Sequence, residues 1–86
     1  MKPEYHKNFR RQFDKLSVKI QDKFEKKLIL FLQNQFHPFL NNHSLIGGYR
    51  DCRSINITGN IRAIFYVKQN GGVVFINIGS HSELYE

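Results

Sequence analysis

The chain has 86 residues, with 13 Lys and Arg against 7 Asp and Glu, a net charge of +6 and a pI near 9.7. That length fits one domain over residues 1–86 and leaves no room for a separate cofactor domain, since a chain of this size buries only about 60–65% of its unfolded surface. The single cysteine, Cys52, cannot form an internal disulfide. The longest apolar cluster, Leu28–Leu32, falls far below the roughly 20 residues of a membrane span. Met1–His6 carries no apolar leader, so a cytoplasmic protein is expected. Basic charge concentrates in residues 1–35, with nine basic and four acidic side chains, and this favours a polyanionic or acidic partner.

Residues 3–7 read as a first strand. From Asn8, the spacing of Phe9, Phe13 and Leu16 predicts an amphipathic helix. Ser17 is placed to cap a second helix whose buried stripe is Ile20, Phe24, Leu28, Phe31 and Leu32. Lys19, Lys23, Lys26 and Lys27 fall outside that stripe and form either a phosphate-contact strip or an ordinary solvated face. His37-Pro38 ends the helix. Residues 39–50 are a connection rich in Asn, Ser and Gly, with no Lys-Ser/Thr after Gly47-Gly48 to make a phosphate loop.

Residues 53–67 predict a β-hairpin around Thr58-Gly59-Asn60, with a left-handed residue at Gly59 or Asn60. Pairing Ile57 with Ile61 keeps charge off the apolar face. Ile55, Ile57, Ile61, Ala63, Phe65 and Val67 then face the core. Ser54, Asn56, Arg62, Ile64 and Tyr66 share the other, uncovered face. After the turn at Gln69–Gly72, Val73–Ile78 predicts a third antiparallel strand. The fold class is α+β: an N-terminal strand and a two-helix hairpin packed on one face of a twisted, mainly antiparallel sheet.

Gly79 gives the backbone freedom for His81 to swing over Arg62 and Tyr66, with Tyr85 close by. Guanidinium, imidazole and phenol suit RNA: arginine grips a phosphate, histidine moves protons near neutral pH, and tyrosine stacks on a base. By spacing alone, a histidine after a strand is more often a surface or capping residue. His6, His37, His43 and His81 lack metal-ligand spacing, so no metal or cofactor is expected.

Asn41-Asn42-His43, Gly47, Tyr49, Arg53–Asn60, Arg62-Ala63-Ile64 and Ile78–Tyr85 together resemble the RelE/YafQ family of type II toxin–antitoxin toxins. The resemblance spans almost the whole chain, including the lysine-rich helical hairpin. It implies a RelE-like fold and a metal-independent endoribonuclease that cuts mRNA in the ribosomal A site and is silenced by a cognate antitoxin, with a toxin–antitoxin heterotetramer as one assembly. It assigns His81 as the main acid/base, with His43 beside it and Arg62 as phosphate stabiliser. Tyr85, Arg53, Tyr66 and Asn56 are the candidate substrate-binding residues; alternation puts Arg53 on the core face, where it would serve structure unless it frays outward. Asn60 replaces a common aspartate, Asn56 a second histidine, Asn77 an arginine and Asp51-Cys52 a common Gly-Tyr, implying a reduced catalytic set. The alternatives are a non-enzymatic ParE-like gyrase inhibitor on the same scaffold and a basic RNA-binding module working through the helix lysines.

Overall fold

The computed structural model describes residues 2–45, 47–49 and 51–85. In chain order they form β1 (Glu4–Tyr5), α1 (Lys7–Asp14), α2 (Val18–Gln33), a 3-10 turn (Pro38–Leu40), β2 (His43–Ser44) and a second 3-10 turn (Gly47–Tyr49). Then follow β3 (Arg53–Asn56), β4 (Ile61–Val67), β5 (Val73–Ser80) and α3 (His81–Tyr85). The five strands make one sheet in the order β1-β5-β4-β3-β2, antiparallel except for the parallel β1–β5 pair.

Burial explains why the two N-terminal helices pack where they do. Phe9 from α1 and Phe24, Leu28 and Phe31 from α2 press onto Ile55, Ala63, Phe65, Phe75 and Ile78. Phe31 meets Phe65 edge-on at 5.0 Å, and Phe24 meets Phe75 the same way at 5.6 Å. Each such aromatic pair adds about 0.5–1.5 kcal/mol beyond the area it buries. Ser17 caps α2 by accepting from the Ile20 N–H, as its position predicts. Leu32 lies outside the stripe, 43% exposed, because it falls on the flank of α2 turned from the sheet.

The edge of β5 is closed in an unusual way. β1 pairs through only two residues, and then α1 begins. Gln12 of α1 continues the ladder with its side chain, Oε1 accepting from the Ile78 N–H at 2.9 Å and Nε2 donating to Asn77 Oδ1 at 3.1 Å. One backbone donor that would invite another strand, the Ile78 N–H, is thereby satisfied.

The β3–β4 hairpin takes the predicted register: Asn56 pairs with Arg62, Ile55 with Ala63, and the Ile57 N–H reaches Ile61 O at 2.8 Å. Its turn differs from the expected one. Neither Gly59 nor Asn60 has a positive φ. Thr58 shapes the turn instead, its Oγ1 accepting from the Asn60 and Ile61 N–H groups at 3.2 and 2.9 Å.

The second sheet face is not uncovered, contrary to expectation. Ser54 and Ile64 are fully buried there, and Val74 and Leu84 are buried outside the main aromatic cluster. Tyr66 on this face is exposed, and so is Val67 on the opposite face, which alternation expects in the core but which lies at the end of β4. Part of the cover is α3, which packs on β5 where the sequence pattern predicts only a tail. Ser80 Oγ accepts from the Glu83 N–H at 3.2 Å while Glu83 Oε1 accepts from the Ser80 N–H at 2.8 Å, a reciprocal capping box that starts the helix directly off β5. Gly79 matters for room: a Cβ there would stand 3.3 Å from Glu83 Oε1 and 3.5 Å from Leu84 Cδ2. The backbone freedom expected of it is not what holds His81.

Candidate active site

Across the buried second face, cross-strand pairing sets the rows. His43, Ser54, Ile64 and Asn77 lie side by side from β2 to β5, and Asn56, Arg62 and Gly79 form the next row. Two features close over this surface, the 41–45 segment on one side and α3 on the other. Between them is an open cleft of about 410 Å³ lined by Asn41, His43, Leu45, Arg62, His81 and Tyr85. The three candidate catalytic residues and the candidate aromatic therefore share one cleft.

Each is held by a different device. Arg62 projects from β4, and its Nη1 donates to Thr58 O at 3.2 Å and Gly59 O at 3.1 Å. Those two carbonyls fix the guanidinium plane, and among the described residues no carboxylate pairs with it. The rest of its fork can take an anion. His81 is the first residue of α3; its backbone N–H donates to Asn60 O at 3.1 Å, so the hairpin turn and the helix start are tied together. Its ring packs on Tyr85 at a centroid distance of 4.6 Å.

Tyr85 sits one turn further along α3, edge-on to Tyr49 at 6.0 Å. Its hydroxyl is buried without a hydrogen-bond partner. Burial and the neighbouring Tyr85 phenol push the Tyr49 hydroxyl above its ordinary range, so Tyr49 remains a neutral donor. His43 is exposed at the cleft edge, with Nδ1 2.8 Å from Asn41 O. Hydrogen bonds from the Ser80 backbone and hydroxyl hold the Glu83 carboxyl below its usual range, keeping the capping box ionised.

The remaining candidates separate. Asn56 is the cross-strand neighbour of Arg62, and its Oδ1 is buried without a partner. Tyr66 shares the Arg62 face but stands four residues along β4, about 13 Å away at roughly 3.3 Å per residue. Arg53 does not reach the cleft. Its Nε donates to Asn42 Oδ1 at 2.7 Å, and its guanidinium lies 5.4 Å from the centre of the Phe36 ring, on the core side as alternation requires. It braces the segment after α2. Cys52 is half-buried, and burial followed by the Asp51 charge raises its thiol, leaving it poorly nucleophilic.

Sequence reasoning assigns no role to Asn41, Leu45 or the Ser80–Glu83 box. The last carries a signal in the Ser-x-x-Glu spacing, and Asn41 one in the Asn41-Asn42-His43 motif; Leu45 carries none. Among the described residues no three His, Cys, Asp or Glu side chains gather into a metal-binding group, and no helix is long and apolar enough to cross a membrane.

The family profile described as "Bacterial toxin of type II toxin-antitoxin system, YafQ" matches residues 1–86. Among solved structures, YafQ from E. coli superposes with a TM-score of 0.83 at 15% identity, covering 99% of this chain and 98% of that one. The E. coli DinJ–YafQ complex gives 0.73 at 18% identity, covering 99% and 98%. A conserved hypothetical protein from Helicobacter pylori gives 0.67 at 28% identity, covering 99% of each chain. No curated protein sequence matches significantly.

Proposed function

The chain belongs to the YafQ family of bacterial type II toxin–antitoxin toxins, and on that premise we propose that it is a ribosome-dependent endoribonuclease that cuts mRNA in the A site. What supports the reading is the single cleft in which His43, Arg62, His81 and Tyr85 meet. The chemistry needs no nucleophile from the protein. The ribose 2′-oxygen loses its proton to one imidazole and bonds to the adjacent phosphorus. The P–O5′ bond breaks, and the departing 5′-oxygen takes a proton from the other imidazole. The products are a 2′,3′-cyclic phosphate and a 5′-hydroxyl.

His81 is the principal acid/base, because α3 and the hairpin turn fix its backbone; His43 handles the opposite proton transfer. Arg62, braced by two carbonyls, stabilises the charge that builds on the phosphoryl oxygens. Tyr85 offers a face for the base next to the cut, and Asn56 lies behind Arg62 with an acceptor to spare. Arg53 and Tyr66 are left out of this set.

The cleft is shallow and open, so isolated RNA is cut slowly and the ribosome supplies the ordering of message. The toxin works in the cytoplasm and is held by a cognate antitoxin, as YafQ is by DinJ in the E. coli complex, with a heterotetramer as the stored form. Mapping the ends of cleaved message on translating ribosomes tests the reading. Cyclic phosphate at the 3′ ends, at A-site positions, is the expected result. Inhibition of gyrase supercoiling without message cleavage would replace it with the gyrase-inhibitor function.

A further inference from the structure

We propose that Asn41 is a positioning residue that fixes His43 in the tautomer protonated at Nδ1, leaving Nε2 as the free base in the cleft. The inference deepens the ribonuclease reading, and its first readout needs no RNA. A carbonyl oxygen only accepts hydrogen bonds, so the 2.8 Å contact between Asn41 O and His43 Nδ1 requires the proton on Nδ1. Neutral imidazole carries one proton, so Nε2 is then a lone pair.

That carbonyl is aimed by an unusual backbone. Asn41 follows the Pro38–Leu40 turn in the left-handed region, with φ 47° and ψ 49°, and its own N–H returns to Pro38 O at 3.3 Å. Asparagine and glycine reach this conformation readily, whereas β-branched residues resist it. Pro38, a buried Leu40 and Asn41 thus form a rigid stop after α2. From that stop the carbonyl points two residues ahead, onto the histidine that pairs with Ser54 at the sheet edge. The side chain of Asn41 is not what does this; its backbone angle is.

Long-range 15N–1H correlation spectra of histidine-labelled protein read the tautomer directly. The expected wild-type spectrum shows His43 protonated at Nδ1 and bare at Nε2. Asn41→Val loses that preference and lowers kcat for ribosomal cleavage by roughly five- to tenfold with KM little changed. Asn41→Gly, which keeps the left-handed turn and the carbonyl, regains both. A wild-type His43 protonated at Nε2 overturns the proposal even if Asn41→Val fails to fold. So does an Asn41→Gly variant as impaired as Asn41→Val, which would assign the effect to the amide side chain. A correct tautomer in a protein that cuts no message would leave this assignment standing and remove the ribonuclease reading instead.

Discussion

Replacing Arg62 with lysine separates charge from geometry at the candidate phosphate site. The guanidinium spends one nitrogen on Thr58 O and Gly59 O and keeps its fork for an anion. Lysine has one nitrogen for both tasks, so it either leaves the turn or leaves the phosphate. Losing one preorganised donor to a developing oxyanion costs about 2.7–4 kcal/mol, a fall of roughly 10²–10³ in the chemical step. Two half-exposed carbonyl bonds contribute about 1 kcal/mol together to folding, which for a domain of this size lowers Tm by about 4–8 °C. Arg62→Lys should therefore fold, bind antitoxin and enter ribosomes with nearly parental affinity while single-turnover cleavage drops at least a hundredfold. Cleavage within about threefold of the parent would refute the reasoning, because a bare positive charge would then suffice.

Other expectations follow from the same structure. Asp51 holds φ 66° without being glycine, so Asp51→Gly should raise stability by about 0.5–1 kcal/mol, seen as a higher Tm, with cleavage unaltered. The Glu83 carboxyl is depressed by its bonds to Ser80. Its contribution is therefore complete above its unfolded-state value and disappears as pH falls through the lower folded one. Protection factors of the α3 amides, referred to the intrinsic exchange rate at each pH, should fall in acid, whereas Glu83→Gln, whose neutral amide oxygen still accepts from the Ser80 N–H, should show no such acid step.

Much of the fold is legible in the sequence because hydrophobic alternation leaves few choices. A slipped hairpin would put Arg62 opposite Ile57, and the observed Asn56–Arg62 pair avoids that. The stripe of Phe9, Phe24, Leu28 and Phe31 along the two helices is likewise periodic enough to set which side meets the sheet. The features that periodicity does not reveal are short or tertiary. Five residues are too few for α3 to show a period, and only its capping box announces it. Strand alternation alone leaves Ile64 and Ser54 in the open, although both are fully buried. The irregularity between Ile64 and Phe65 in the β4–β5 pairing is hidden inside the continuous apolar run Val73–Ile76. At the site, spacing alone does not single out His43, Arg62, His81 and Tyr85; the family resemblance names them, and the fold brings all four to one cleft. Arg53 lies away from it, because Asn42 and Phe36 hold its side chain through contacts that spacing cannot show.

The sharpest measurement is single-turnover cleavage of message on programmed ribosomes by His81→Ala, alongside its Tm and antitoxin affinity. Removing a positioned general acid/base costs about 10²–10⁴ in rate, and because the His81 backbone, not its ring, bonds to Asn60, folding and antitoxin binding should hold. Cutting at the parental rate by a folded His81→Ala protein would contradict a shared role for imidazole and guanidinium at one phosphodiester.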